Sequence, residues 1–237
     1  MLYKSLLVET KNLLLSVFSL IFPNKCLFCA NVIEEDVEVC PTCKQLYPIA
    51  HINEEEFFAP LLPYTEDVCV LAHYVYVSKA IQLFKFHRQV SKGLKMAKLF
   101  SVHIQQCEWI KDLDFIIAVP LHKKAQKRRQ FNQCQIFAEI IYEDLKKTNH
   151  KLQLNNDNLY RISDNKPQHT LYAHERYENV KDNFALKSVQ LFENKKVLLI
   201  DDVVTTCSTL KACCLALRKA NNITIYIGVF ASSRINM

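Results

Sequence analysis

Apolar runs that do not alternate with polar residues set the fold class of this chain. "VCVLAHYVYV" from Val68, "DFIIAVP" from Asp114, "VLLI" from Val197 and "ITIYIGVF" from Ile223 present hydrophobic side chains to both faces of a pleated strand. Strands of that kind need cover on both faces, as in a parallel sheet flanked by helices. The segments between them supply helical patterns: "SKAIQLFKFHRQ" from Ser78, "SKGLKMAKLFSVHIQQ" from Ser91, "NQCQIFAEIIYEDLKK" from Asn132 and "STLKACCLALRKA" from Ser208. A short strand "LYRI" from Leu159 and a polar helix "QHTLYAHERYENV" from Gln168 complete an alternating α/β pattern without internal repeats. The 237 residues suit one sizeable domain and a small appendage.

The appendage is legible in cysteine spacing. Cys26-x2-Cys29-x10-Cys40-x2-Cys43 places two thiolate pairs on neighbouring knuckles, the arrangement by which four sulfurs reach one tetrahedral zinc ion. Four protein ligands leave no open coordination position, so the expected zinc is structural and folds a segment too small to bury its own core. Four unrelated buried cysteines, or redox pairs, are the alternative. The chain has ten cysteines in all, including the adjacent Cys213 and Cys214. Reduced thiols in the cytoplasm with one metal site explain that usage better than disulfides. Pro48 through Pro63, containing "NEEEFF", reads as a linker. The apolar-rich run Leu13–Phe22 is ten residues, about half of a bilayer span. It is read as part of an amphipathic helix docked on the body, with membrane-surface contact as the alternative and no transmembrane span.

Glycine is scarce: ordinary usage would give about 17 in a chain of this length, and only Gly93 and Gly228 are present. Turns have to use Asn, Asp and Pro instead, and a missing glycine says little against a glycine-type loop here. Charge is uneven. Residues 1 to 60 carry four Lys against eight acids, a net of −4, and the rest of the chain carries +10. A basic body suits a phosphate ester or nucleic acid, or is merely a solvated surface.

The stretch "VLLIDDVVTTCSTL", Val197 to Leu210, joins an apolar strand expected to end at Ile200 to two acids and a row of hydroxyls. The next helix is expected to begin near Ser208 or Thr209 with one of them as N-cap. Backbone N–H groups and the hydroxyls of Thr205, Thr206, Ser208 and Thr209 would converge on one anion there. Asp201 and Asp202 beside such a cradle make sense for a ligand that presents hydroxyls or Mg²⁺ next to its phosphate. A second anion site is expected at Lys123, Lys124, Lys127, Arg128 and Arg129, a basic loop directly after a strand, with no acid among residues 120 to 133. On charge pattern alone a solvated loop is the slightly favoured reading, and the strand before it turns the balance towards an anion site. Lys85, in "LFKFHR", is a further candidate for the same anion.

These residues carry a resemblance. "DDVVTTCST" resembles the diphosphoribose signature of the type I phosphoribosyltransferases, two acids followed by Thr-Thr-Gly-x-Thr, with Cys207 in place of the glycine. "VPLHKKAQKRRQFNQ" and "KPQHTLYAHERYENVKDNF" are similar to the paired motifs of the ComF family. Arg129, Phe131, Asn132 and Gln133 match the first motif, with Gln130 for its glycine. Pro167, Gln168, Leu171, Glu175, Arg176, Asn179 and Phe184 match the second.

The resemblance implies a type I phosphoribosyltransferase-like α/β fold over 61–237, a twisted, mainly parallel sheet flanked by helices. Ahead of it come a zinc-binding module over 25–60 and the amphipathic helix over 1–24. It implies that Asp201 and Asp202 bind the ribose hydroxyls of 5-phosphoribosyl 1-diphosphate (PRPP) with Mg²⁺. Residues Thr205, Thr206, Cys207, Ser208 and Thr209 would then hold its 5-phosphate, and the cationic loop its pyrophosphate. Functionally it implies a cytoplasmic competence factor that handles single-stranded DNA in natural transformation, with other competence proteins as partners. Tyr172, Tyr177 and Phe131 are candidates for stacking on bases, Phe131 equally for the core. The alternatives are an active phosphoribosyltransferase with an unknown acceptor, whose step would pass through oxocarbenium character at the anomeric carbon, and a PRPP sensor that docks a partner through the zinc module.

Overall fold

The computed structural model describes residues 23–34, 37–46, 57–87, 89–162 and 183–233. The N-terminal helix, save residues 23 and 24, the polar helix from Gln168 with Tyr172 and Tyr177, and residues 48–56 of the expected linker lie outside these.

The α/β expectation is met. Five strands form one parallel sheet in the order β1-β7-β6-β2-β3: β1 Asp67–His73, β2 Phe115–Ala118, β3 Gln153–Leu154, β6 Lys196–Val204 and β7 Thr224–Ser232. Strands β4 (Leu159–Arg161) and β5 (Phe184–Leu186) form a separate antiparallel pair, so "LYRI" is no part of the parallel sheet. The helices are α1 Pro41–Leu46, α2 Tyr74–His87, α3 Val90–Ile104, α4 Lys123–Arg129, α5 Gln133–Leu145 and α6 Ser208–Leu217. Helix α5 packs along α3 and against β2 and β6, while α6 packs against β4 and β5. The core between these helices and the sheet holds Phe100, Phe137 and Phe230, their ring centroids 5.2 to 6.0 Å apart.

Three expectations need correction. The strand from Val68 stops at His73, and "YVYV" opens α2 despite its β-favouring composition. Val77, Ala80, Ile81 and Phe84 are buried while Val75 and Tyr76 are exposed, so the 3.6-residue period of burial outweighs local propensity. Strand β6 continues past Ile200 to Val204, because β7 runs on beside it and pairs with Asp201, Val203 and Val204. The end of the expected linker is core: Phe57, Phe58 and Leu61 are buried in the apolar cluster that also holds Leu27 and Phe28.

The two glycines are placed by contact, and neither has positive φ. A Cβ at Gly93 in α3 would overlap the ring of Phe84, and one at Gly228 would come within 2.7 Å of Ile104 Cδ1 and 2.8 Å of Ile200 Cδ1. Phe84 is only 1% exposed and has nowhere to move. Gly93→Ala is therefore expected to destabilise the chain by about 1 to 2 kcal/mol in urea denaturation, overpacking exceeding the helix-propensity gain of about 1 kcal/mol.

Candidate functional site

Strands β2 and β6 are neighbours from which the chain departs in opposite directions, from β2 towards β3 and from β6 towards β7. In an open α/β sheet the crevice beyond the carboxyl ends of such a pair is where ligands bind. The segments that open there are the two singled out by sequence: α4 after β2, and the acids and hydroxyls of β6 and its loop.

Asp201 is buried. Its Oδ1 accepts the Asp202 N–H at 2.9 Å and the Cys134 thiol at 3.4 Å. Burial, and next the negative charge of Asp202, push the Asp201 carboxyl up to about 7. Burial and the two neighbouring acids also push the Cys134 thiol up, which keeps it a neutral donor. Asp202 lies against Lys85, Nζ to Oδ2 2.6 Å, with both side chains mostly buried. Lys85 thus sits with the acid pair. Cys134 was not singled out by the sequence reading; its place in the first turn of a helix that follows the neighbouring strand is the clue that it faces β6.

The loop after β6 leads into α6 through Cys207, which adopts a left-handed conformation, φ 58° and ψ −7°, and is itself the N-cap. The N-cap expected at Ser208 or Thr209 is corrected accordingly, and no side chain caps the first turn. Asp201, Val203, Val204, Leu210 and residues 205 to 209 line an open cleft. Thr205, Thr206 and Thr209 are exposed there, and the hydroxyls of Thr206 and Ser208 lie 3.1 Å apart. First-turn N–H groups without intrahelical acceptors suit an anion in such a cleft.

The basic segment is the helix α4, not a loop. Within it Lys123 and Lys124 are placed as backbone, Lys127 and Arg128 are exposed, and Arg129 is half-buried. Arg129 donates to Gln133 Oε1 at 3.1 Å. Arg129 Nε and Gln133 Nε2 are buried with no hydrogen-bond partner among the described residues, two donors suited to an acceptor such as a phosphate oxygen. Asn132 caps α5 by accepting from Cys134 N and ties it to β2 by donating to Val119 O, both at 3.0 Å. Phe131 lies against Phe84, ring centroids 5.3 Å apart, and packs half-buried on the edge of the core.

The four knuckle cysteines bring their thiols within 4.8 Å of one another. Cys29 Sγ and Cys40 Sγ are 3.7 Å apart, against about 3.8 Å for two sulfurs on a tetrahedral zinc with Zn–S near 2.3 Å. Cys40 N–H donates to Cys26 Sγ at 3.3 Å, and Cys43 N–H to Cys40 Sγ at 3.4 Å. The donor set fits one metal ion of that kind.

No family model matches the sequence. Curated relatives do: competence protein F of Haemophilus influenzae is 32% identical over 162 residues, covering 66% of this chain and 69% of that one. The chain belongs to the ComF family. DNA utilization protein YhgH of Escherichia coli K12 is 27% identical over 187 residues, covering 78% of this chain and 79% of its own. Similar solved structures include a hypoxanthine phosphoribosyltransferase from Staphylococcus aureus, TM-score 0.37 at 14% identity, covering 61% of this chain and 68% of that one.

In this ComF-family chain the two glycine positions of the motifs, now Gln130 and Cys207, keep positive φ, 66° and 58°. The loops have kept a glycine's conformation without the glycine, at about 1 to 2 kcal/mol each. The Cys207 side chain is buried, its thiol donating to Phe57 O at 3.6 Å.

Asp201 also sets a pH dependence. Its folded-state pKa lies above the unfolded value near 4, so between about pH 4 and 7 the folded chain binds more protons than the unfolded one and stability falls as pH rises. Asp201→Asn is expected to raise the melting temperature at pH 7.5 and to flatten the decline between pH 4.5 and 7 in thermal melts. A slope unchanged by the substitution would place the titrating group elsewhere.

Proposed function

We propose that this ComF-family chain is a cytoplasmic competence factor that binds PRPP with Mg²⁺ at the β2/β6 crevice and handles single-stranded DNA, with other competence proteins as partners. What supports the reading is that the acids and hydroxyls follow β6 and the cationic helix α4 follows β2, the two strands that flank one switch point of the sheet. Asp201 and Asp202 would accept the hydroxyls of the ribose and hold Mg²⁺, the loop from Thr205 to Thr209 would receive the 5-phosphate, and Lys127, Arg128 and Arg129, with Lys123 and Lys124 on the same helix, would meet the pyrophosphate. Mg²⁺, when bound, supplies charge neutralisation for those phosphates. The names of the curated relatives, one a competence protein and one a DNA utilization protein, support the cellular role. Among the described residues no helix is long and apolar enough to cross a membrane.

Calorimetric titration of the full chain with PRPP and Mg²⁺ is expected to give one saturable site, weakened at least about tenfold when both carboxylates become Asn, since each charge-assisted bond contributes about 1.5 to 3 kcal/mol. Absence of binding in both the natural chain and Cys207→Gly would sink the PRPP reading. Binding gained only by Cys207→Gly would show a cradle that the thiol has closed.

Zinc, when bound by Cys26, Cys29, Cys40 and Cys43, would fix the two knuckles against the sheet. Elemental analysis is expected to find about one zinc per chain. Cys43→Ser should lose it and lower the melting temperature, and a metal-free natural chain with an unaltered melt would overturn this assignment.

A further inference from the structure

We propose that Phe86, at the end of α2, is a stacking platform for a base of single-stranded DNA, with Arg128 and Arg129 as its cationic flank. The inference rests on the reading that the chain handles single strands, and names where a base is received. Phe86 is 54% exposed, whereas Phe84, two residues earlier on the same helix, is 1% exposed. Its ring is nonetheless not bare. The guanidinium carbons of Arg128 and Arg129 each lie 5.5 Å from its centroid, so two planar cations and one aromatic plane share one exposed spot. Arg129 is held there by Gln133.

A lone exposed phenyl is ordinary on a protein surface and gives no purchase to an apolar partner. The arginines decide the chemistry. An exposed ring with guanidinium groups over it offers stacking to any base, on the ring or on the guanidinium planes, and charge to the phosphates on either side of it, which is how single strands are bound without sequence preference. Charge complementarity points the same way: the segment from 120 to 133 carries Lys123, Lys124, Lys127, Arg128 and Arg129 and no acid. An acidic peptide would use the cations but would gain little from the ring.

The platform adjoins the ribose-phosphate site through the chain itself, because Lys85, the preceding residue, holds Asp202 at 2.6 Å.

The test is fluorescence anisotropy of the full chain with a labelled oligo-dT and with the same strand carrying abasic sites. Natural protein is expected to bind oligo-dT with an affinity that falls with salt. Phe86→Ala should weaken binding roughly 5- to 150-fold, the range for losing one stacked base, and leave the salt slope unchanged. Phe86→Trp should retain binding. On the abasic strand Phe86→Ala and the natural chain should bind alike, and Arg128→Ala should lower the salt slope by about one on both strands. Thermal melts confirm that each variant is folded, as expected for residues this exposed. Natural binding to oligo-dT with Phe86→Ala indistinguishable from it, or weakened equally on the abasic strand, overturns the platform and leaves the single-strand reading standing. No salt-sensitive binding by the natural chain overturns both.

Discussion

Everything at the candidate site depends on the pairing of β6 with β7 beyond Ile200. Were the strand to end where its apolar run ends, Asp201 and Asp202 would lie in a loop, solvated and ordinary. Held in the ladder opposite Val229 and its neighbours, Asp201 is carried under the surface and Asp202 to its edge. Burial then creates the electrostatic problem that the surrounding residues answer: Cys134 donates a thiol hydrogen to Asp201, and Lys85 places an ammonium on Asp202. Fixed donors and one paired charge reduce the cost of keeping a carboxylate pair out of water, but burial still holds Asp201 up near neutrality. Functional sites characteristically hold such tension.

The fold was legible because parallel strands buried on both faces read as unbroken apolar runs, and the four-cysteine cluster because its spacing is local in sequence. Errors fell where the deciding interaction is distant in sequence. "YVYV" has strand composition, yet the sheet surface that α2 covers needs Val77, Ala80, Ile81 and Phe84 on one helical face. The end of β6 is set by β7, about thirty residues away. Phe57 and Phe58 sit in an acidic stretch that reads as linker, and only the apolar cluster shared with Leu27 and Phe28 reveals them as core. Of the residues around the candidate cleft, the acids and hydroxyls were legible as motif members, while Cys134 and Phe86, which match no expectation by composition, were visible only once helices and strands were set side by side.

The glycine shortage has a structural logic of its own. The two glycines sit where a Cβ would collide with packed side chains, a requirement no other residue can meet. Left-handed positions are filled by Asn194 and Asn222, which tolerate that conformation, and by Ala30, Gln130 and Cys207, which do so at a cost. At Cys207 part of that cost is offset, since its side chain fills buried space beneath the loop and reaches Phe57. A glycine there would relax the backbone and empty that space, so the two effects oppose each other and the substitution is close to neutral for folding. What it changes is local: the room and rigidity of the cleft mouth.

The ion pair between Lys85 and Asp202 ties the two proposed subsites together. A ligand that brings Mg²⁺ or hydroxyl donors to the acid pair competes with the Lys85 ammonium for Asp202, and a displaced ammonium leaves a mostly buried position for solvent or for a phosphate. Lys85 and Phe86 occupy the final turn of α2, where few helical hydrogen bonds resist a small rotation. If both ligands bind, linkage requires each to alter the affinity of the other by the same factor. The sign follows from the charge at Asp202: a phosphate that draws Lys85 away from the acid clears the carboxylate for the sugar, so the two ligands should favour one another.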